Sequence, residues 1–133
     1  MKELSLLFEG LRGYATRDFP SGFLEGSLYK SPLFHGSDYD LREGETLQPQ
    51  FGSEWGIYLS PNARYAKKYG KYLYEVYVNI SNPYSVENKG EISSSDLTEQ
   101  DVKKIRFKGY DSITSASEIV VFDPKKVHVF TRR

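Results

Sequence analysis

Cysteine is absent from the 133 residues of this chain, and histidine occurs only at positions 35 and 128. The lack of thiols excludes a disulfide framework, a thiol nucleophile and any thiolate metal ligand. Two histidines without cysteine do not favour a structural zinc site, so we expect no metal. The sequence also lacks a phosphate-binding G-x-x-x-x-G-K-[ST] loop, a G-x-G-x-x-G fingerprint and a G-x-S-x-G elbow.

Net charge is absent too, because 18 lysines and arginines balance 18 aspartates and glutamates. No global field therefore draws the chain toward nucleic acid or an anionic membrane, and a partner must be recognised locally. Residues 1–11 contain neither a long apolar core nor a small-residue cleavage site, and no transmembrane run follows them. We expect a cytoplasmic protein, in the cell that makes it or in a target cell, with no membrane partner.

Aromatic residues, by contrast, are plentiful. Eleven tyrosines and eight phenylalanines suit half-buried strands or stacking platforms. The length fits one domain over residues 1–133. Within it, residues 1–30 are expected to be an N-terminal extension of helix and loop, because apolar residues at helical spacing predict a short helix over 3–12.

Strands and helices can be predicted along most of the chain. Apolar runs predict strands at residues 33–36, 56–60, 111–114, 118–123 and 127–131. Strict alternation predicts another strand over 71–80. A helix is predicted over 99–107, because Thr98 can cap it and Asp101 can return the bond. These elements indicate a mostly β, α+β fold.

A polar stretch precedes the predicted strand at 56–60, and a helix pattern follows it. Residues 37–54 have few apolar side chains and no clear periodicity, which is typical of a functional loop or a disordered insert. We favour a loop that covers a ligand. A helix is predicted over 61–69, with Ser60 as its N-cap and Gly70 as a left-handed C-cap.

His35, Tyr58 and Glu118 each lie in or beside a different predicted strand. No local spacing can bring them together, so a shared site would have to be assembled by the whole fold. The ordinary alternatives stay open at this point. They are a strand-end histidine with its own partners, a core tyrosine, and a glutamate that faces water on an edge strand.

A resemblance to known enzymes rests on three segments, residues 34–37, 56–60 and 117–123. They resemble the H-Y-E core of diphtheria-toxin-like and poly(ADP-ribose)polymerase-like ADP-ribosyltransferases, with Tyr69 eleven positions after Tyr58. Four more segments are similar to the ADP-ribosyltransferase domain of phage and mobile-element polyvalent proteins, at residues 23–27, 81–83, 108–113 and 121–124.

The resemblance implies an ADP-ribosyltransferase-like fold, with a split, mostly antiparallel β-sheet core and a few short helices. It also implies that NAD is the substrate and that no metal is needed. It assigns catalytic roles to Glu118, His35 and Tyr58. It assigns NAD binding to His35, Gly36, Ser37, Tyr58 and Tyr69. Cleavage of nicotinamide from NAD passes through a ribosyl oxocarbenium cation, which a fixed carboxylate stabilises.

By the same resemblance, Glu118 would hold the 2′-hydroxyl of the nicotinamide ribose, and His35 would bind the adenosine ribose. The Gly36 backbone would hold the nicotinamide carboxamide, and Tyr58 and Tyr69 would stack on the nicotinamide ring. Arg42, in the polar stretch, is a candidate partner of the diphosphate.

Three departures from the pattern bear on function. Ala116 stands where related enzymes carry a second acid or amide, which disfavours an arginine acceptor. Ala66 stands where poly(ADP-ribose)polymerase-like proteins often carry a serine that bonds the carboxamide. Residues 114–117 are very short for a loop that recognises an acceptor.

Together these features predict a mono-ADP-ribosyltransferase that moves ADP-ribose to a macromolecular acceptor, with protein favoured over nucleic acid. Two alternatives stay open, an NAD glycohydrolase that uses water and a catalytically silent NAD-binding or interaction module. The resemblance further implies a toxin-like phage or bacterial effector, and leaves an inhibitor or antitoxin partner open.

Overall fold

The computed structural model describes residues 22–42, 44–49, 55–87, 91–92 and 95–133. The helix predicted over 3–12 lies outside these ranges. The strands are β1 (Leu33–Ser37), β2 (Ile57–Leu59), β3 (Tyr72–Val78), β4 (Pro83–Ser85), β5 (Ser112–Thr114), β6 (Ile119–Val121) and β7 (Val127–Arg132). The helices are α1 (Ala63–Lys67) and α2 (Glu99–Phe107), and a 3-10 turn at Pro124–Lys126 leads into β7.

The strands form two sheets. The first has the order β1-β3-β7 and is antiparallel throughout. The second has the order β2-β6-β5-β4, in which β4 and β5 run parallel and the other neighbours run antiparallel. The predicted α+β class, with a mostly antiparallel core and few short helices, is confirmed. Strand β4 was not predicted, because it is three residues long and begins at a proline.

Two apolar clusters hold the sheets in place. The inter-sheet core joins side chains of both sheets, among them Val76 and Val129 from the first and Ile57 and Val121 from the second. The helix-side core lies on the other face of the second sheet and is made of Ile92, Val102, Ile105, Ile113, Val120 and Phe122. The second sheet is therefore covered on both faces, which explains why its short strands are almost wholly apolar.

Helix α2 has the boundaries that its sequence predicts. Thr98 and Asp101 exchange the two hydrogen bonds of a capping box. At the other end, Gly109 has a φ of +97° and donates to Arg106, while Tyr110 donates to Ile105. This is a Schellman motif, so glycine ends the helix because it takes the left-handed conformation without a Cβ penalty.

Helix α1 corrects the prediction for residues 61–69, because it is shorter and has other caps. Asn62, not Ser60, is the N-cap, since its side chain accepts from the Tyr65 N–H at 3.1 Å. Ser60 cannot cap the helix because its N–H and C=O both bond to Phe34 of β1, which keeps it extended. Gly70 does not have a positive φ and is not a left-handed cap.

The bridge between Phe34 and Ser60 brings the edge of the first sheet to the edge of the second. The described part of the polar stretch 37–54 crosses beside this junction. It is anchored by Leu41 and Leu47, which are 4 % exposed and belong to the inter-sheet core. The stretch is thus an ordered loop with two core residues wherever the structure describes it.

Candidate active site

A cavity opens where the two sheets meet, and helix α1 forms one of its walls. Strand β1 contributes His35 and Gly36, strand β2 contributes Tyr58, the turn after α1 contributes Tyr69, and Glu118 lies just before β6. The fold therefore brings these five residues, which are far apart in sequence, to one place.

Glu118 lies at the centre of a buried hydrogen-bond network. The residue is 3 % exposed, which rules out a glutamate that faces water. Its Oε1 accepts from the backbone N–H of Ile92 at 2.7 Å. Its Oε2 lies 3.1 Å from the Tyr65 hydroxyl and 3.3 Å from the Tyr69 hydroxyl. The carboxylate is consequently held on both oxygens and fixed in orientation.

Glu118 reaches this position through a tight β-hairpin. Strands β5 and β6 pair Thr114 with Ile119, and the Ser115 N–H donates to the Glu118 carbonyl at 2.8 Å. The Ser115 side chain in turn accepts from the Glu118 N–H at 3.1 Å. The hairpin end thus fixes the backbone that carries the carboxylate.

His35 is 5 % exposed, and its Nδ1 lies 2.7 Å from the carbonyl oxygen of Tyr58. A carbonyl only accepts, so Nδ1 carries the proton in this bond. Burial lowers the pKa of His35, an effect that outweighs the opposing contribution of the Tyr58 carbonyl. The ring is therefore neutral near pH 7, and its Nε2 is a buried acceptor with no hydrogen-bond partner among the residues that the structure describes.

Three tyrosines border the cavity. Tyr58 is half-buried and packs against the helix-side core, whereas Tyr69 is 45 % exposed. Tyr65 and Tyr69 lie one helical turn apart, with ring centroids 5.8 Å apart. Burial of its hydroxyl, followed by bonds to Tyr65 and Glu91, raises the pKa of Tyr69, so its phenol stays protonated and can donate.

Two glycines let helix α1 approach strand β1 closely. A Cβ on Gly36 would lie 1.9 Å from the carbonyl oxygen of Ala66, and one on Gly70 would lie 2.1 Å from the carbonyl carbon of Ser37. Both contacts involve backbone atoms, which cannot rotate away. Gly36 thus has a structural role that the sequence did not reveal, because its lack of a side chain makes room for the helix that carries Tyr65.

Ser37 and Arg42 lie apart from the cavity residues. Ser37 is 1 % exposed, accepts from the Tyr39 N–H at 3.0 Å, and borders a second depression formed by residues 38–39, 41 and 45–49. Arg42 is exposed on the loop, where its backbone N–H donates to Glu45 at 2.6 Å. Among the loop residues that the structure describes, Gln48 lines the cavity wall.

The sequence did not point to Tyr65, Glu91 or Ile92. The spacing of Tyr65 and Tyr69 on one helix face was a readable signal, since residues four apart share a face. Nothing in the sequence signalled Glu91 and Ile92, because they belong to a segment without periodicity. The Tyr69 hydroxyl donates to Glu91 at 2.8 Å, and Ile92 is fully buried in the helix-side core.

Comparison with known proteins identifies the family. The model described as ADP-ribosyltransferase in polyvalent proteins matches residues 25–131 of this chain. The chain belongs to this family. Its members are ADP-ribosyltransferase domains, so the resemblance to the polyvalent-protein domain is confirmed. The matched residues include the whole of the cavity described above.

A solved structure described as an anti-CRISPR protein is also similar to this chain. The TM-score is 0.47 at 13 % sequence identity, and the alignment covers 75 % of this chain and 93 % of that one. No curated protein matches the chain.

The described residues contain neither a membrane-spanning helix nor a metal-binding cluster. None of the helices there has the length and apolar character that crossing a bilayer requires. Within the same residues, no group of three or more His, Cys, Asp or Glu side chains could hold a metal ion.

Proposed function

We propose that this polyvalent-protein ADP-ribosyltransferase is a mono-ADP-ribosyltransferase of the H-Y-E class, with His35, Tyr58 and Glu118 as its defining residues. It cleaves the bond between nicotinamide and ribose in NAD and transfers ADP-ribose to a macromolecular acceptor, with protein favoured over nucleic acid. The observation that carries the proposal is the buried Glu118 carboxylate, held on both oxygens and facing a cavity shared with His35 and Tyr58.

The chemistry explains why such a carboxylate is needed. As the glycosidic bond breaks, positive charge develops on the ribose, and a preorganised negative charge nearby stabilises the transition state without reorganising. The Ile92 N–H orients Glu118 Oε1, which leaves Oε2 directed at the tyrosines. A ribose hydroxyl that enters the cavity would replace a phenol as the donor to Oε2.

The remaining groups suit the other parts of NAD. His35 is neutral and its Nε2 is a buried acceptor, so it can receive a hydrogen bond from a hydroxyl of the adenosine ribose. Tyr58 and the exposed Tyr69 offer ring surface on which nicotinamide can stack. Gly36 and Ser37 are the other expected binding residues. Gly36 lines the cavity and offers its backbone atoms, whereas Ser37 follows it at the end of β1 and borders the second depression.

The test is incubation of the protein with labelled NAD and cell lysate, together with measurement of nicotinamide release. Wild-type protein should label an acceptor, and Glu118→Gln should abolish the labelling. Glu87→Gln is the matched control, because Glu87 is exposed and outside the cavity. Equal labelling by Glu118→Gln would refute the role of Glu118, and NAD binding without turnover would instead support a silent module.

A second candidate is an NAD glycohydrolase, in which water is the acceptor. The tight hairpin between β5 and β6 favours it, because residues 115–118 turn directly from one strand to the next and leave no loop to recognise an acceptor. Release of nicotinamide and free ADP-ribose without any labelled macromolecule would select this activity over transfer.

A further inference from the structure

Glu91 lies in the same cavity as Glu118, although it comes from the segment after β4 and outside the motifs that define the class. The Tyr69 hydroxyl donates to Glu91 Oε1 at 2.8 Å and lies 3.3 Å from Glu118 Oε2. A phenol has one proton to donate. Two carboxylates therefore meet across a single phenol oxygen.

The two carboxylates differ in how deeply they are buried. Glu118 is 3 % exposed, and both of its oxygens are held by Ile92 and the tyrosines. Glu91 is only half-buried. Glu118 is thus fixed in orientation at the buried end of the cavity, whereas the half-buried Glu91 can be reached by a group that arrives from solvent.

Glycosyl transfer to a neutral nucleophile needs a proton acceptor as well as a stabilising charge, which is why glycoside hydrolysis uses two carboxylates. We infer that Glu91 is the general base that activates the acceptor, an assignment that rests on the proposed function. The bond from C1′ to the nicotinamide nitrogen breaks, and its electron pair leaves with nicotinamide. The acceptor oxygen bonds to C1′, and its proton passes to the Glu91 carboxylate.

This assignment sets the chemical class of the acceptor. A hydroxyl group or water must lose a proton as it attacks, so it gains from a base. A carboxylate acceptor has no proton to give and would be repelled by Glu91 and Glu118. Ala116 stands where related enzymes carry a second acid or amide, whereas the second carboxylate in this cavity comes from Glu91 in another segment. The acceptor is therefore an O–H nucleophile.

The experiment compares wild type, Glu91→Gln and the exposed control Glu87→Gln in nicotinamide release from NAD, with cell lysate as the source of the acceptor and with and without sodium azide. Azide is an anion that attacks a ribosyl cation without losing a proton, so it bypasses a missing base. We expect Glu91→Gln to lower the rate without azide by about 10²-fold or more, with the KM for NAD changed little. Azide should restore turnover and yield ADP-ribosyl azide, and Glu87→Gln should behave as wild type.

The possible results distinguish a failure of the proposed function from a failure of the role assigned to Glu91. Wild type that releases no nicotinamide would overturn the proposed function and this inference with it. If wild type is active, a Glu91→Gln rate equal to wild type would overturn the inference alone. A slow Glu91→Gln variant that azide does not rescue and whose KM for NAD rises would also overturn it, because Glu91 would then serve only to position Tyr69.

Discussion

Replacing Gly36 with alanine should force helix α1 away from strand β1. The new Cβ would lie 1.9 Å from the Ala66 carbonyl oxygen, whereas real Cβ atoms essentially never come within 3.0 Å of such a neighbour. The opposing atom belongs to the backbone at the end of the helix, so no side-chain rotation relieves the clash. The two backbones must separate, and Tyr65 on the helix and Tyr69 just after it must move with α1.

The structure sets the size of both effects. Overpacking against a rigid neighbour typically costs 1–3 kcal/mol and occasionally more, so we expect the free energy of unfolding to fall by about 3 kcal/mol. For a chain of this length, the Tm should fall by roughly 10 °C. A shift of about 1 Å near reacting groups costs on the order of 10²-fold in rate, so nicotinamide release should fall by that factor in protein that remains folded.

Thermal and urea unfolding, with turnover measured well below the Tm, would test this prediction. Gly26→Ala is the control. A Cβ at position 26 would have no described atom within 4 Å other than those of its chain neighbours, but the φ of Gly26 is +80°. This substitution should cost about 1–2 kcal/mol from backbone strain and leave the rate unchanged. A Gly36→Ala protein that is as stable as wild type, or more stable than Gly26→Ala, would refute the tight packing of α1 on β1.

Two further predictions concern the buried polar groups. Glu118→Gln keeps an acceptor for the Ile92 N–H, so it should retain the wild-type Tm while nicotinamide release falls by about 10²- to 10³-fold. Glu118→Ala leaves that buried N–H unpaired and should also lose about 1–3 kcal/mol of stability. Equal Tm values for the two variants would contradict the hydrogen-bond network around Glu118. Burial lowers the pKa of His35, so below about pH 6.5 the unfolded state binds more protons than the folded state. The free energy of unfolding should therefore fall as the pH drops through that value, by at most about 1.4 kcal/mol per pH unit. Urea titrations at several pH values should show a shallower dependence in His35→Asn, and an identical slope in both proteins would argue against a buried neutral ring.

The elements that were predicted correctly are those whose signals are local. The capping box of α2 involves residues three apart, and the alternation in β3 repeats every second residue, so each can be read within a short window. The cap of α1 was mispredicted because its local signal competes with a distant contact. Ser60 has good capping chemistry, but its pairing with Phe34 of β1 keeps it extended, and Asn62 caps the helix instead.

The residues of the candidate site also differ in whether a local sequence signal reveals them. His35, Tyr58 and Glu118 could be selected from the sequence because each lies in a recognisable motif. Glu91 and Ile92 could not, because their segment has no periodicity and its contacts with Glu118 and Tyr69 span more than twenty residues. Such contacts depend on how the sheets and α1 pack, which no short window of sequence contains.

By itself, the amino-acid sequence determined the chemistry available to this protein. It has no thiol, no net charge, many phenols and one motif set typical of ADP-ribosyltransferases, and its local patterns determined most strands and helix α2. Tertiary structure alone decided that the Glu118 carboxylate is buried and held on both oxygens, and that Glu91 joins it. Burial and long-range hydrogen bonds depend on how the two sheets and α1 pack, and glycines 36 and 70 allow α1 to approach β1 because they have no side chains.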